Sequence, residues 1–280
     1  MINSKTTCYC IFGNPVSHSL SPVMHNAAFR ETNTNAVYLA FQPESISRAV
    51  DALRVLPICG ASITIPYKIE IMKYLDYIDP LAEKIGAVNT LHNSEGKISG
   101  YNTDGFGALI ALEENGFSVK NSNILIIGYG GSARAIGFSL LVRGASVAVT
   151  GRDGVKAQKL SNEFKEFFKN SSFVPLEHLN IHITSSFHAI INTTPAGMEP
   201  LTDQLPIPSG LILPNQTVFD IVYKPHHTRF LLDAEKTGCK TVKGIEMLIN
   251  QGALQFEIWT GLKAPKQIMR EAVLNAVGKY

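Results

Sequence analysis

The chain has 280 residues, 45% hydrophobic and 17% charged, so it is long enough for two domains and apolar enough to bury a core rather than stay disordered. A formal net charge of +2 without lysine-rich blocks argues against nucleic acid or a membrane surface as partner. Cys8, Cys10, Cys59 and Cys239 form no C-x-x-C pair and read as free thiols in a reducing cytoplasm.

In chain order, the opening "MINSKTTCYCIFG" lacks the long apolar core of a signal peptide, and no later run approaches transmembrane length. "TCYCIFG", "VYLAF" and "GASITI" read as strands. "SPVMHNAAFRETN" reads as a helix, with Ser21 as N-cap and Pro22 at the first helical position. Alternating strands and helices predict βαβ units and a largely parallel sheet.

A second series begins at "SNILIIGYGGSARAIGFSLLVRGASVAVTGRD". Ile124 to Ile127 suit a strand buried on both faces. A glycine turn, an apolar helix to about Arg143 and a strand over Ser146 to Thr150 follow. "VKAQKLSNEFKEFFKN" places Leu160, Phe164 and Phe167 or Phe168 on one helical face. "HAIINTTPAGM" and "TVFDIVYKP" look like strands opening into polar loops, and "GIEMLINQGALQFEIWTG" like a long amphipathic helix. The expected organisation is α/β, with domains over 1–104 and 105–249 and closing helices over 250–280 that return to the first.

The turn "GYGGSARA" carries Gly128, Gly130 and Ala133 in a G-x-G-x-x-A pattern. Such a turn permits a tight bend, lets backbone approach a pyrophosphate and lets the helix pack on its strand. The helix N-terminus then offers free N–H groups to phosphate. The pattern alone is common at plain strand–helix turns; a buried strand before it and a second strand after it favour a dinucleotide. Where NAD sites carry an acid at the end of that second strand, this chain has Gly151-Arg152-Asp153. The arginine points to NADP; the aspartate leaves either reading open.

Four short polar motifs remain. Ser17 and Ser19 precede the first helix and read alone as turn residues. Thr64 and Lys68 follow an apolar run, and a lone lysine is usually solvated. Asn89 and Thr90 end a run, while Asn102 and Asp104 sit between glycines where an Asx turn or helix cap would also explain them. His18, His25, His226 and His227 match no usual metal spacing, so no metal is expected. Together the hydroxyls, amides, lysine and carboxylate suit a small polyhydroxylated substrate. A carbonyl that gains hydride must also gain a proton, and Lys68 and Asp104 are the candidates to manage it.

With "SHSLSPVMHN", "SITIPYK", "GAVNT", "GYNTDGFG", "GYGGSARA", "NTTPAGM", "FDIVYKP" and "GIEMLINQGALQFEIWTG" in this order, the chain resembles the shikimate dehydrogenase family nearly end to end. The resemblance implies an N-terminal α/β substrate domain, a Rossmann-type dinucleotide-binding domain, and last helices that rejoin the first. It implies that Ser17 and Ser19, with Tyr223 nearby, meet a substrate carboxylate, and that Thr64, Asn89, Asp104 and Gln251 meet ring hydroxyls. Lys68 and Asp104 would be the catalytic pair. Gly128, Gly130, Gly131, Ser132 and Ala133 would cradle the pyrophosphate, Arg152 would face the 2′-phosphate, and Thr193, Ile221 and Gly244 would line the nicotinamide. The family commonly has Asn-Arg-Thr where this chain has Gly-Arg-Asp, which predicts a smaller preference for NADP over NAD. Asp153 is expected to cap the following helix and pair with Lys156 rather than point at the phosphate.

The expected activity is reversible NADPH-dependent reduction of 3-dehydroshikimate to shikimate, in the cytoplasm, as a monomer or a homodimer. The alternatives are a quinate/shikimate dehydrogenase with relaxed cofactor use and a nucleotide-sensing homologue without turnover.

Overall fold

The computed structural model describes residues 2–278. The chain divides into two compact units: residues up to Thr103 with those from Ile249 onward, and Asp104–Leu248. The first unit opens with β1 (Thr7–Phe12), α1 (Ser21–Glu31), β2 (Ala36–Phe41), α2 (Ile46–Val55) and β3 (Ile58–Ile63). It continues with β4 (Tyr77–Ile78), α3 (Pro80–Ile85), β5 (Thr90–Ser94) and β6 (Lys97–Tyr101). The strands order as β2-β1-β3-β5-β6-β4, with β2, β1 and β3 parallel.

Strand β5 runs antiparallel to both β3 and β6, so this sheet is mixed where a largely parallel one was expected. The cause is a two-residue hairpin turn. Glu95 and Gly96 both have positive φ, 53° and 85°, and the Asn93 side-chain oxygen accepts from Gly96 N at 2.9 Å. Two left-handed residues match the twist of paired strands. Helix α1 starts at Ser21, and its N-cap residue, Leu20, makes no side-chain cap. Ser21 is therefore inside the helix rather than capping it. The Ser19 hydroxyl takes part of that role, accepting from Ser21 N at 3.3 Å.

The second unit comprises α4 (Asp104–Glu114), β7 (Asn123–Ile127), α5 (Gly131–Val142), β8 (Ser146–Thr150) and α6 (Gly154–Lys165). It goes on through β9 (Ser171–Phe173), α7 (Ile181–Thr184), β10 (Ala189–Asn192), β11 (Thr217–Asp220), α8 (Arg229–Thr237) and β12 (Lys240–Lys243). All six strands are parallel, in the order β12-β11-β10-β7-β8-β9. The chain winds outward from β7 in one direction and from β10 in the other, which is the Rossmann arrangement, and the strand order reverses between them. Ile124 to Ile127 are buried, as a strand covered on both faces requires. Leu160 and Phe164 are buried on α6, but the helix stops at Lys165. Phe167 lies beyond it, half exposed, while Phe168 meets Phe138 edge-on at 5.2 Å.

The chain ends in α9 (Gly244–Thr260) and α10 (Lys266–Val277). Among the described residues no helix is long and apolar enough to cross a membrane. In the first unit, α10 packs on α1, and Trp259 of α9 stacks on Tyr9 at 5.2 Å. The indole N–H donates to the Leu91 carbonyl at 2.8 Å. His25 is fully buried, stacked on Tyr38 at 4.5 Å, and burial pushes its pKa down to about 3, against a smaller opposing effect of Gln255. It is a neutral packing group.

Gly60 of β3 lies under that indole: a Cβ there would collide with the indole nitrogen and sit 2.7 Å from Trp259 Cδ1. Gly60→Ala should therefore lift α9 from the sheet and cost ~1–3 kcal/mol, the usual range for overpacking. Urea unfolding followed by Trp259 fluorescence checks it; an unchanged midpoint would show that the indole moves aside freely.

Candidate functional site

In the first unit the polar residues cluster on the loops after β1 and β3 and at the start of β5. The two loops are laced together: Thr64 N donates to Phe12 O and Asn14 N to Ile65 O, each at 3.0 Å. A side chain at Gly13 would strike the Thr64 methyl. Ser17 is exposed and Ser19 half-buried on the first loop; Thr64 and Lys68 are half-buried on the second. The Lys68 carbonyl accepts from Val88 N at 2.8 Å, which ties this loop to the segment entering β5.

Asn89 is the centre of that segment and is buried. Its backbone pairs with Ile63 and Tyr101, at 2.8 and 3.0 Å. Its side-chain oxygen accepts from Thr103 N at 2.8 Å and the Thr90 hydroxyl at 2.7 Å. Its side-chain nitrogen donates to the Thr103 hydroxyl at 3.0 Å and toward Gln251 Oε1 at 3.5 Å. Four residues further along α9, Gln255 donates to Asn89 O at 3.1 Å and to the Thr90 hydroxyl at 2.9 Å. The Gln255 side-chain oxygen accepts from Ser62, which accepts from the Tyr38 hydroxyl at 2.5 Å. Thr64, Lys68, Asn89 and Gln251 thus hang on one frame. Thr103, Gln255, Ser62 and Tyr38 are the members that the sequence reading missed. The i, i+4 spacing of the two glutamines on α9 was the available signal.

In the second unit the expected nucleotide residues gather at the carboxyl ends of the parallel strands. Gly128 N donates to Thr150 O at 2.8 Å, pinning the turn to the end of β8. Gly128 has φ of +123°, and a Cβ there would hit the Thr193 hydroxyl, which donates to Ile127 O at 2.7 Å. Only glycine suits that conformation and that contact. At Gly130 a Cβ would meet nothing within 4 Å. The protein leaves open space over the start of α5, a helix with no side-chain cap and no acid in its first turn. Gly131, Ser132 and Ala133 begin this helix, so its free N–H groups fit a bound pyrophosphate. Gly244 abuts the Ile221 and Val222 backbone, 2.6 Å from Ile221 C to a notional Cβ, so Ile221 and Gly244 are neighbours.

Arg152 is exposed just past β8. Asp153 caps α6, as expected: its carboxylate accepts from Lys156 N at 3.1 Å and meets the Lys156 ammonium at 3.0 Å. The backbone N–H and then the ammonium hold its pKa below the usual value. Asp104 is buried as the first residue of α4. Tyr223 is half-buried beyond β11, and burial pushes its phenol pKa up. Among the described residues no group of three or more His, Cys, Asp or Glu could hold a metal ion, and all four cysteines are free thiols.

A further pair escaped the sequence reading. Asn192 ends β10 and Asp220 ends β11, both fully buried. Asp220 accepts from Asn192 Nδ2 at 2.9 Å, Val222 N at 3.1 Å and the Thr228 hydroxyl at 2.6 Å. Asn192 also accepts from Thr194 N at 3.0 Å and donates to Ala196 O at 3.1 Å. The lock fixes the loops that carry Thr193 and Ile221.

Residues 11–91 match the family model described as "Shikimate dehydrogenase substrate binding domain", and residues 244–274 match "Shikimate 5'-dehydrogenase C-terminal domain". The shikimate dehydrogenase (NADP(+)) of Methanocaldococcus jannaschii is 44% identical over 285 aligned residues, covering 100% of both chains. The chain belongs to the shikimate dehydrogenase family. A crystal structure of a shikimate dehydrogenase in complex with NADP+ superposes with a TM-score of 0.94 at 41% identity, covering 99% of this chain and 98% of that one. The shikimate 5-dehydrogenase of Thermus thermophilus, in complex with NADP(H) and shikimate, gives 0.89 at 35% identity over 97% and 100% of the two chains.

Burial raises the Asp220 pKa from 3.8 to about 6, although its three donors pull the other way. Between those values the folded chain holds a proton that the unfolded chain has lost. Its contribution is therefore present below about pH 4 and disappears as pH rises through 6, ~3 kcal/mol in all. His25 has the opposite sign: its depressed pKa makes stability fall as pH drops below 6.5. Comparing wild type with Asp220→Asn isolates the first effect. The variant should lose the component that declines between pH 4 and 6 in denaturant titrations; parallel pH profiles would refute the assignment.

Proposed function

We propose that this chain catalyses the reversible reduction of 3-dehydroshikimate to shikimate with NADPH, a step of aromatic amino-acid biosynthesis, in the cytoplasm. The full-length identity of 44% to a shikimate dehydrogenase (NADP(+)) carries this reading. The uncapped helix start beside the open Gly130 supports the nucleotide, and the amide- and hydroxyl-rich frame around Asn89 supports the polyol.

NADPH, when bound, supplies the hydride. The protein's residues orient the ketone and deliver a proton to its oxygen. The Ser17 and Ser19 hydroxyls donate to the substrate carboxylate, with Tyr223 as a third contact. Thr64, Asn89 and Gln251 hydrogen-bond the ring hydroxyls. Lys68 gives its proton to the oxygen as hydride reaches the carbon, and takes it back in the reverse direction. Asp104 is the second member of the proposed catalytic pair, and its carboxylate would keep the ammonium aimed. Gly128, Gly130, Gly131, Ser132 and Ala133 hold the pyrophosphate. Arg152 would pair with the 2′-phosphate through a charge-assisted contact. Thr193, Ile221 and Gly244 line the nicotinamide.

Lys68→Ala tests the assignment. A positioned proton-transfer group accounts for roughly 10²–10⁴ in rate, so kcat should fall by that factor while KM for shikimate changes little. A variant with near-normal kcat and a strongly raised KM would make Lys68 a binding residue instead.

A further inference from the structure

The nucleotide turn contains a tyrosine, Tyr129, between Gly128 and Gly130. Its ring lies over Gly151, the residue before Arg152: a Cβ on Gly151 would stand 2.8 Å from Tyr129 Cδ1 and 2.9 Å from Cε1. Gly151 does not take a positive φ, so its backbone admits any side chain. The tyrosine ring, not the backbone, excludes one. A side chain at 151 and the ring at 129 compete for the same space.

The ring has a second neighbour. The Lys156 ammonium lies 5.9 Å from its centroid, within cation–π range. Lys156 in turn pairs with Asp153, which caps α6. Tyr129 therefore touches the segment 151–156 at both ends, at Gly151 and at Lys156. Arg152 lies between these two points and is itself exposed. An exposed, long, flexible side chain discriminates a phosphate only if its backbone is held still, because each freed rotor costs binding energy.

We propose that Tyr129 is a positioning residue for cofactor choice: its ring, seated on Gly151 and under Lys156, fixes the backbone that presents Arg152 to the 2′-phosphate. Gly151 is then the seat of the ring rather than a missing contact. The inference rests on the NADP reading above and goes beyond it. It makes a prediction opposite to that of simple contact counting: an amide side chain at 151, able in principle to donate to the phosphate, should weaken discrimination because it evicts the ring.

The test is calorimetric titration of NADP+ and NAD+ into wild type, Tyr129→Ala, Gly151→Asn, the double variant and Arg152→Ala. The ratio of the two dissociation constants is the readout, and melting temperatures are followed in parallel. Tyr129→Ala and Gly151→Asn should each reduce the preference for NADP+ by about 3- to 30-fold, the range for an aromatic–cation contact. The double variant should be no worse than Tyr129→Ala alone, because the two changes undo one contact. Shikimate KM should stay near wild type. Gly151→Ala, which adds only the Cβ, should move in the same direction if the asparagine variant folds poorly. A higher NADP+ preference in Gly151→Asn, additive effects, or equal losses for NADP+ and NAD+ would overturn the proposal while leaving the NADP reading intact. A wild type that binds neither nucleotide, or an Arg152→Ala variant with unchanged preference, would overturn both.

Discussion

One buried amide organises the first unit. The Asn89 side chain joins β5 to the chain leaving β6 through Thr103 and approaches α9 through Gln251, while its backbone joins β3 and β6. A buried polar group of this kind stabilises only when every partner is present; stranding one costs about 1–3 kcal/mol. Here the partners come from four stretches of chain, one more than 160 residues away in sequence. The same bonds that close the fold also fix Gln251 and, through Val88, the Lys68 loop. In the roles proposed for Asn89, Gln251 and Lys68, substrate positioning and the return of the last helices would be one structural requirement.

The second unit solves its problem with backbone and small residues. A dinucleotide needs unshielded N–H groups close to its phosphates, which side chains would obstruct. Gly128 is pressed on the Thr193 hydroxyl, and Gly130 opens onto empty space, so the first glycine serves the fold and the second leaves room for a ligand. The Asn192–Asp220 lock does for the neighbouring loops what Asn89 does in the first unit. Burial lets the lock take up a proton near pH 6, so its contribution weakens as pH rises through that range, unlike the half-buried cap at Asp153, whose partners keep it ionised.

The parallel strands were legible in the sequence because each is a short apolar run ended by glycine or a polar loop, and the nucleotide turn because glycine spacing reports backbone geometry directly. The hairpin between β5 and β6 was missed, although Glu95-Gly96 is the kind of pair such a turn needs; its flanks are polar and lack a clear alternation. Ser21 was misplaced by one role because Pro22 fits either helix register near the start. Gln255, Ser62 and Asp220 were invisible for a different reason. Each matters through a partner distant in sequence, and a single sequence carries no record of that pairing. Gly151 shows the same limit: as a letter it looks like a deletion of function, whereas in three dimensions it is the floor for Tyr129.

The proposed function requires both frames to serve hydride exchange between NADPH and a shikimate-type ketone. The most direct measurement is the steady-state oxidation of shikimate by purified wild-type protein, following the appearance of reduced nicotinamide, with NADP+ and NAD+ and with quinate in place of shikimate. Turnover of shikimate with NADP+, a higher kcat/KM for NADP+ than for NAD+, and little or no use of quinate are expected. Absence of turnover with shikimate, or a kcat/KM favouring NAD+ or quinate, would contradict the proposed function.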